Sequence, residues 1–129
     1  MSDAHVDVLL FSDDADTRRA IMDAIGERAS KDSPKIEWHE AATAYGVEAL
    51  MSTHDFAVLI LDGEATKEGG FSIARELANT YEELPPIIAL TARSQDTWLA
   101  TWAGAVETIE APYDPLEVQE KIAQLLRSA

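Results

Sequence analysis

Acidic and hydroxyl side chains follow three apolar runs of this sequence. Asp13 and Asp14 come after the first run, Asp62 and then Glu64 after the second, and Thr91 after the third. Carboxylate and carbonyl oxygens are hard ligands that favour Mg²⁺. Three carboxylates held close together repel one another by about 3 kcal/mol per pair at an effective dielectric constant of 20, so they need protons or a cation. A bound cation would also let an aspartate oxygen attack a phosphorus atom, because it cancels negative charge on both reactants.

The elements that must position these side chains are strands alternating with helices. The apolar runs predict strands at 6–11, 35–39, 56–61, 87–90 and 107–109. Apolar residues at helical spacing predict helices at 17–29, 44–51, 71–78, 97–103 and 116–127. This alternation predicts one α/β domain with a five-stranded parallel sheet, right-handed crossovers and helices on both faces. Polar residues just beyond the carboxyl ends of such strands share one crevice.

Composition narrows the class of protein and of partner. The chain has 129 residues, of which 47% are hydrophobic and 26% charged, as expected for one globular domain without a separate output domain. Its net charge of −14 disfavours nucleic acid and anionic membranes as partners. The sequence has neither a membrane-length apolar run nor a signal peptide, which predicts a cytoplasmic protein. Without cysteine, a disulfide, a thiolate zinc site and a cysteine nucleophile are excluded.

Histidine and tryptophan are the other residues that could bind ligands or partners. His5, His39 and His54 are scattered over a strand start, a strand end and a loop, so we expect solvated side chains and not metal ligands. Trp98 and Trp102 are four residues apart and share one face of a predicted helix, either in the core or on a partner surface.

Two pairs of residues have simpler structural explanations. Asp13 and Asp14 could both cap the first helix, and we expect Asp14 to do so while Asp13 binds metal. Gly69 and Gly70 predict a turn that requires a positive φ angle.

Over nearly its whole length the sequence resembles the receiver domain of response regulators in two-component signalling, the CheY-like family. The residues that carry the resemblance lie after four of the predicted strands and in one loop, and they are Asp13, Asp14, Asp62, Gly70, Thr91, Ala92 and Pro112. The resemblance implies a flavodoxin-like, doubly wound (βα)5 fold.

The resemblance also implies roles for the strand-end residues. Asp62 would be the phosphoacceptor and Thr91 the hydroxyl that meets the phosphoryl group. Asp13, Asp62 and the backbone carbonyl of Glu64 would hold a weakly bound Mg²⁺, with Asp14 in its second shell or at the helix cap. The partners would be a histidine kinase or phosphotransfer protein and a downstream protein.

The sequence departs from the family pattern at five positions. Ser12 stands where the family usually has the first acid of a pair, and Ala111 stands where a lysine usually precedes the proline. Thr108 replaces a common aromatic switch residue, Thr66 replaces a loop proline, and Glu64 adds negative charge beside the acceptor. These departures predict an atypical receiver site.

Two interpretations remain open. The chain is a stand-alone phosphoacceptor receiver that acts through protein–protein interaction, or it is a pseudo-receiver that binds its partner without phosphorylation. Either protein is a signalling domain and not an enzyme, and either is compatible with a homodimer through the fourth helix, the last strand and the last helix.

Two further classes fit the sequence poorly. A flavodoxin-like cofactor binder is disfavoured because the segment 12–16, with its three aspartates, would repel a flavin phosphate. A haloacid-dehalogenase-type phosphatase would need an aspartate where Glu64 stands.

Overall fold

The computed structural model describes residues 5–64, 69–92, 100–101 and 103–128. These residues form five strands, β1 (His5–Phe11), β2 (Lys35–Ala41), β3 (Phe56–Asp62), β4 (Ile87–Thr91) and β5 (Glu107–Glu110). They also form four helices, α1 (Ala15–Ile25), α2 (Ala44–Met51), α3 (Gly70–Thr80) and α4 (Pro115–Ser128). Most of the helix predicted at 97–103 lies outside the described residues. Trp98, Trp102 and Thr66 also lie outside them.

The strands form one parallel sheet in the order β2-β1-β3-β4-β5, which confirms the predicted doubly wound fold. The chain crosses from β1 outward to β2 and then back to β3, so the connection after β1 and the one after β3 leave the sheet in opposite directions. Cavities for ligands lie at such a reversal, beyond the carboxyl ends of the strands. The register brings the strand ends together, because Phe11 pairs with Leu61 and Thr91 pairs with Glu110.

Apolar side chains cover both faces of the sheet, since successive residues of a strand point to opposite sides. Val8, Leu10 and Ile60 pack on one face with residues of α1 and α4. Leu9, Leu59 and Leu61 pack on the other face with residues of α2 and α3. Each fully buried side chain of this size contributes about 1.5–3 kcal/mol to stability. None of the helices in the described part of the chain is long and apolar enough to cross a membrane.

Helix α1 begins and ends earlier than the sequence predicted. The Asp14 carboxylate caps it by accepting hydrogen bonds from the Asp16 amide (3.1 Å) and the Thr17 hydroxyl (2.9 Å), which confirms the predicted cap. The helix ends at Ile25 because Gly26 adopts a φ of 74° and its amide bonds back to a helical carbonyl. The prediction of a helix over 17–29 was therefore wrong at both ends.

Gly70 is the first residue of α3 and was wrongly assigned to a turn of positive φ. Among the described glycines only Gly26 and Gly104 have positive φ, whereas Gly69 has a φ of −72°. A Cβ atom on Gly70 would lie 2.8 Å from the Asp62 carbonyl oxygen. Gly70 is required because α3 begins directly against the backbone at the end of β3.

Candidate functional site

Asp62 ends β3 with a buried carboxylate whose two oxygens both accept hydrogen bonds. The residue is 5% exposed. Its Oδ2 accepts from the Ser12 hydroxyl at 2.8 Å, and its Oδ1 accepts from the Glu64 amide at 2.8 Å. A buried carboxylate is costly unless hydrogen bonds offset its desolvation. The two bonds therefore stabilise Asp62 and fix the orientation of its carboxylate.

Ser12 connects the end of β1 to this carboxylate and to the start of α1. It is fully buried, and its hydroxyl oxygen also accepts a hydrogen bond from the Asp14 amide at 3.1 Å. Its carbonyl oxygen accepts from the Arg18 guanidinium, which also pairs with Glu40 at 2.9 Å. Arg18 is thus held toward β2 by these two partners.

Asp13 lies between Ser12 and the capping residue Asp14, exposed at the same strand end. Both oxygens of Asp14 accept hydrogen bonds within the first turn of α1. Asp14 is therefore engaged in capping the helix, and the role of Asp13 as a metal ligand stays a prediction.

Thr91 and Ala92 bring hydrogen-bonding groups to the same edge of the sheet from β4. Thr91 is 1% exposed, and its carbonyl oxygen accepts from the Ala111 amide at 2.8 Å. The Ala92 amide donates to Glu64 Oε2 over a long 3.5 Å. Ala111 thus lies beside Thr91, and its methyl group brings no positive charge to the pocket.

Tyr113 also approaches the acidic pocket, although the sequence did not single it out as a site residue. Burial raises the pKa of the Tyr113 phenol from 10.0 to about 12. The negative charges of Asp62, Glu64 and Asp14 raise this pKa further. The phenol is thus close enough to the pocket to feel its charge, and it stays protonated at neutral pH. The only available signal was its position just after Pro112, beyond the end of the last strand.

The structure brings Asp62, Glu64, Thr91 and Asp13 to one edge of the sheet, as the sequence predicted. The side-chain atoms that these residues could offer to a metal are all oxygens, and Mg²⁺ prefers oxygen ligands. Among the described residues no buried side-chain nitrogen or oxygen lacks a hydrogen-bond partner. The pocket therefore fits a Mg²⁺ ion but does not depend on one to satisfy its buried polar groups. The assignments of acceptor and metal ligands stay predictions.

The histidines do not lie apart as predicted. The rings of His39 and His54 are 4.3 Å apart, and His39 also contacts the ring of Phe56. His39 Nε2 hydrogen-bonds Asp7 Oδ1 at 2.9 Å, and His5 Nε2 lies 4.0 Å from the same oxygen. The expectation of a solvated side chain is confirmed for His5, which is exposed. It was wrong for His39 and His54, because the turn after α2 brings the ring of His54 against that of His39.

The sequence is similar to two curated proteins with regulatory names. An uncharacterised response regulatory protein of Mycobacterium tuberculosis is 39% identical over 121 residues, covering 94% of this chain and 91% of that protein. The transcriptional regulatory protein SrrA of Staphylococcus aureus is 30% identical over 121 residues, which cover 92% of this chain and 47% of SrrA. The chain thus spans about half the length of SrrA. No protein-family model matches the sequence.

Two solved structures with a similar fold are a receiver domain and a chemotaxis protein. The receiver domain of the Francisella response regulator 1452 has a TM-score of 0.80 at 18% identity, covering 95% of this chain and 98% of that one. The chemotaxis protein CheY4 of Vibrio cholerae has a TM-score of 0.75 at 22% identity, covering 95% and 99%. The similarity to these structures establishes the fold. The 39% identity with the mycobacterial relative shows the family. The chain belongs to the response-regulator receiver family of two-component signalling.

Proposed function

We propose that this chain is an atypical stand-alone receiver in phosphorelay signalling, with Asp62 as the phosphoacceptor. The observation that carries the proposal is the Asp62 carboxylate at the end of β3, buried and held by Ser12 and the Glu64 amide. Thr91 and Ala92 at the neighbouring strand end offer the donors that a phosphoryl group needs. The family membership of the chain supports the same reading.

The chemistry at Asp62 would be a transfer from a phosphohistidine of a kinase or phosphotransfer protein. An Asp62 carboxylate oxygen attacks phosphorus, forming an O–P bond as the histidine N–P bond breaks. The electron pair of the broken bond stays on the imidazole, which takes up a proton from solvent, and Asp62 becomes an acyl phosphate. Because its carboxylate is already oriented, little ordering remains to be done when the donor arrives. Hydrogen bonds from the Thr91 hydroxyl and the Ala92 amide would stabilise charge on the phosphoryl oxygens.

Asp13, Asp62 and the Glu64 carbonyl are the groups that would hold Mg²⁺. When bound, the ion supplies positive charge that offsets repulsion between the carboxylates and the incoming phosphoryl group. We expect weak binding, because the Ser12 hydroxyl occupies the position of a second acid and already satisfies Asp62 Oδ2. A titration should give a Kd of about 1 mM or weaker, lost in Asp13→Ala and kept in Asp14→Ala. Micromolar affinity, or binding that survives Asp13→Ala, would remove this assignment.

Output would run through a partner protein. The mycobacterial relative supports stand-alone action, because the aligned region covers 91% of that protein's own length. The excess of acidic residues favours a protein surface with positive charge as the partner.

A pseudo-receiver that binds its partner without phosphorylation is the second candidate. Two observations favour it. Ala111 provides no cation beside Thr91, and the carboxylate of Glu64 contacts the Ala92 amide that a phosphoryl oxygen would use. Both features weaken the stabilisation of an acyl phosphate.

Intact mass after incubation with a small-molecule phosphodonor and Mg²⁺ separates the two candidates. The receiver proposal expects an adduct of one phosphoryl group on wild type and none on Asp62→Asn. Asp55→Asn, which changes an exposed aspartate before β3, is the matched control and should be modified like wild type. An unmodified wild type, also with a phosphorylated histidine phosphotransfer protein as donor, would support the pseudo-receiver instead.

A further inference from the structure

A second cluster of ligating side chains lies at the opposite end of the sheet, where β1 and β2 begin. One ligand atom each of His5, Asp7 and Glu37 lies within 4.8 Å of the other two. Asp7 is half-buried, whereas His5 and Glu37 are exposed. The cluster is therefore open to an ion from solvent and separate from the pocket at the carboxyl ends of the strands.

The strand register places two negative charges directly side by side in this cluster. Asp7 pairs with Glu37 across β1 and β2, and both point to the sheet face that Leu9 and Ala41 share. Neighbouring strands are about 4.8 Å apart, and like charges in directly opposite positions destabilise a sheet. A cation between the two carboxylates would convert this repulsion into attraction.

We propose that His5, Asp7 and Glu37 form a binding site for a divalent transition metal of the Zn²⁺ class. An imidazole nitrogen with two carboxylates suits Zn²⁺ better than Mg²⁺ or Ca²⁺, which prefer ligand sets made of oxygen alone. Tetrahedral Zn²⁺ with bonds of about 2.0–2.1 Å requires ligand atoms about 3.4 Å apart. Rotation of the exposed His5 and Glu37 side chains can close the difference from the present spacing. Water would fill the remaining coordination position.

His39 hydrogen-bonds one of the proposed metal ligands, Asp7. Its Nε2 lies 2.9 Å from Asp7 Oδ1, and its ring is packed against His54 and Phe56. A histidine that hydrogen-bonds a ligating carboxylate fixes that carboxylate's orientation, as outer-shell partners of metal ligands do. Asp7 is thus the ordered member of the set, to which the two exposed side chains add.

The test is a calorimetric titration of the full, tag-free chain with Zn²⁺ in a buffer that contains excess Mg²⁺. We expect one Zn²⁺ per chain, with affinity at least about tenfold weaker in His5→Gln and in Glu37→Gln. Glu120→Gln removes the same charge from an exposed position on α4, and Asp62→Asn changes the other pocket. Both controls should bind Zn²⁺ like wild type. Equal affinity in His5→Gln and wild type, or loss of binding in Asp62→Asn, would overturn the site.

A second measurement on wild type locates the ion without any substitution. Co²⁺ should perturb the amide resonances at the start of β1 and in β2, and leave those at the ends of β3 and β4 unchanged. Perturbation confined to the ends of β3 and β4 would refute the proposal. Binding of the metal to the folded state only would also raise the melting temperature of wild type more than that of His5→Gln.

Discussion

The side chain of Glu64 brings a second negative charge to the strand end that carries Asp62. Its Oε2 contacts the Ala92 amide at 3.5 Å, a length at which a hydrogen bond is weak. On the proposed function, this carboxylate repels an incoming phosphoryl group and competes for a donor that the group needs. Glu64 is exposed, so solvent screens part of the repulsion.

Glu64→Gln should therefore speed phosphorylation of Asp62 by a small-molecule donor by about tenfold, equivalent to about 1.4 kcal/mol. The amide keeps the shape of the side chain and removes its charge. Phosphorylation is followed by intact mass over time, with Glu82→Gln as a control because Glu82 is exposed in the loop after α3. An unchanged rate would mean that the Glu64 carboxylate does not oppose the reaction.

Tyr113 is predicted to make stability fall at high pH. Burial and the pocket carboxylates raise the pKa of its phenol to about 12 in the folded chain, above the ordinary value of 10.0. Below pH 10 the folded and the unfolded chain both keep the proton, so the phenol adds no pH dependence to the free energy of unfolding. Between pH 10 and 12 the unfolded state loses the proton while the folded state retains it, so the free energy of unfolding decreases.

Urea unfolding of wild type and Tyr113→Phe from pH 9 to pH 11 measures this effect. The stability of wild type should fall relative to Tyr113→Phe as the pH rises, since the other titrating groups are common to both. Tyrosine-ring carbon resonances give the pKa of the phenol directly, and Asp62→Asn should lower it. A phenol that titrates at its ordinary value would place Tyr113 outside the influence of the pocket.

At the scale of elements, the contact between α3 and β3 depends on a missing side chain. A Cβ atom on Gly70 would meet the Asp62 carbonyl oxygen at 2.8 Å and its carbon at 2.9 Å, and these are backbone atoms that cannot rotate away. Gly70→Ala should lower the free energy of unfolding by about 1–3 kcal/mol through overpacking. It should also shift the end of β3, where Asp62 lies.

Gly46→Ala is the matched control for Gly70→Ala. Its Cβ would meet the side-chain oxygen of Thr43, the residue that caps α2, at 3.3 Å. Alanine favours a helix over glycine by about 1 kcal/mol. These terms oppose each other, so its stability should stay within about 1 kcal/mol of wild type. Chemical denaturation of both variants measures the difference. Equal effects in the two variants would show that α3 can move away from β3.

At the scale of the whole molecule, the net charge of −14 predicts no direct binding of duplex DNA. Such binding draws on clustered Lys and Arg that release counterions from the phosphates. On α4, Lys121 instead forms ion pairs with Glu107 and Glu117, each at 3.4 Å. A mobility-shift assay should show no complex at physiological salt, and a salt-sensitive complex of the isolated chain would refute the prediction.

Whether a signal at Asp62 reaches the rest of the molecule depends on contacts that form only after phosphorylation. A lysine at position 111 would add a charge-assisted hydrogen bond of about 1.5–3 kcal/mol. A neutral hydroxyl contact such as that of Thr91 contributes about 1 kcal/mol. Shifting a conformational equilibrium from 1:99 to 99:1 takes about 5.5 kcal/mol. Thr91 alone therefore cannot drive a full switch.

Ala111→Lys should allow a signal at Asp62 to reach the rest of the molecule. Binding of a beryllofluoride mimic should perturb amide resonances only near the strand ends in wild type. In Ala111→Lys the changes should extend along β5 and α4, while Asp62→Asn shows neither response. Perturbation of β5 and α4 in wild type itself would show that this receiver switches without a lysine.

The sequence by itself determined the architecture and the main members of the candidate site. Apolar runs and helical spacing are local signals, and the parallel sheet follows from their alternation. Once the sheet is parallel, residues after its strands must meet at one edge, so Asp13, Asp62 and Thr91 could be grouped without coordinates. Ala111 and Ser12 could be identified as departures because their places in the family pattern are set by neighbouring residues.

Only the tertiary structure decided how those residues contact one another and what else lies beside them. The hydrogen bond from Ser12 to Asp62 joins residues 50 positions apart, and the approach of Tyr113 to the pocket depends on how the chain leaves β5. The meeting of His39 with His54 depends on a turn, and that of Asp7 with Glu37 depends on strand register. Such contacts depend on strand neighbours and side-chain rotamers, which leave no periodic signal in the sequence.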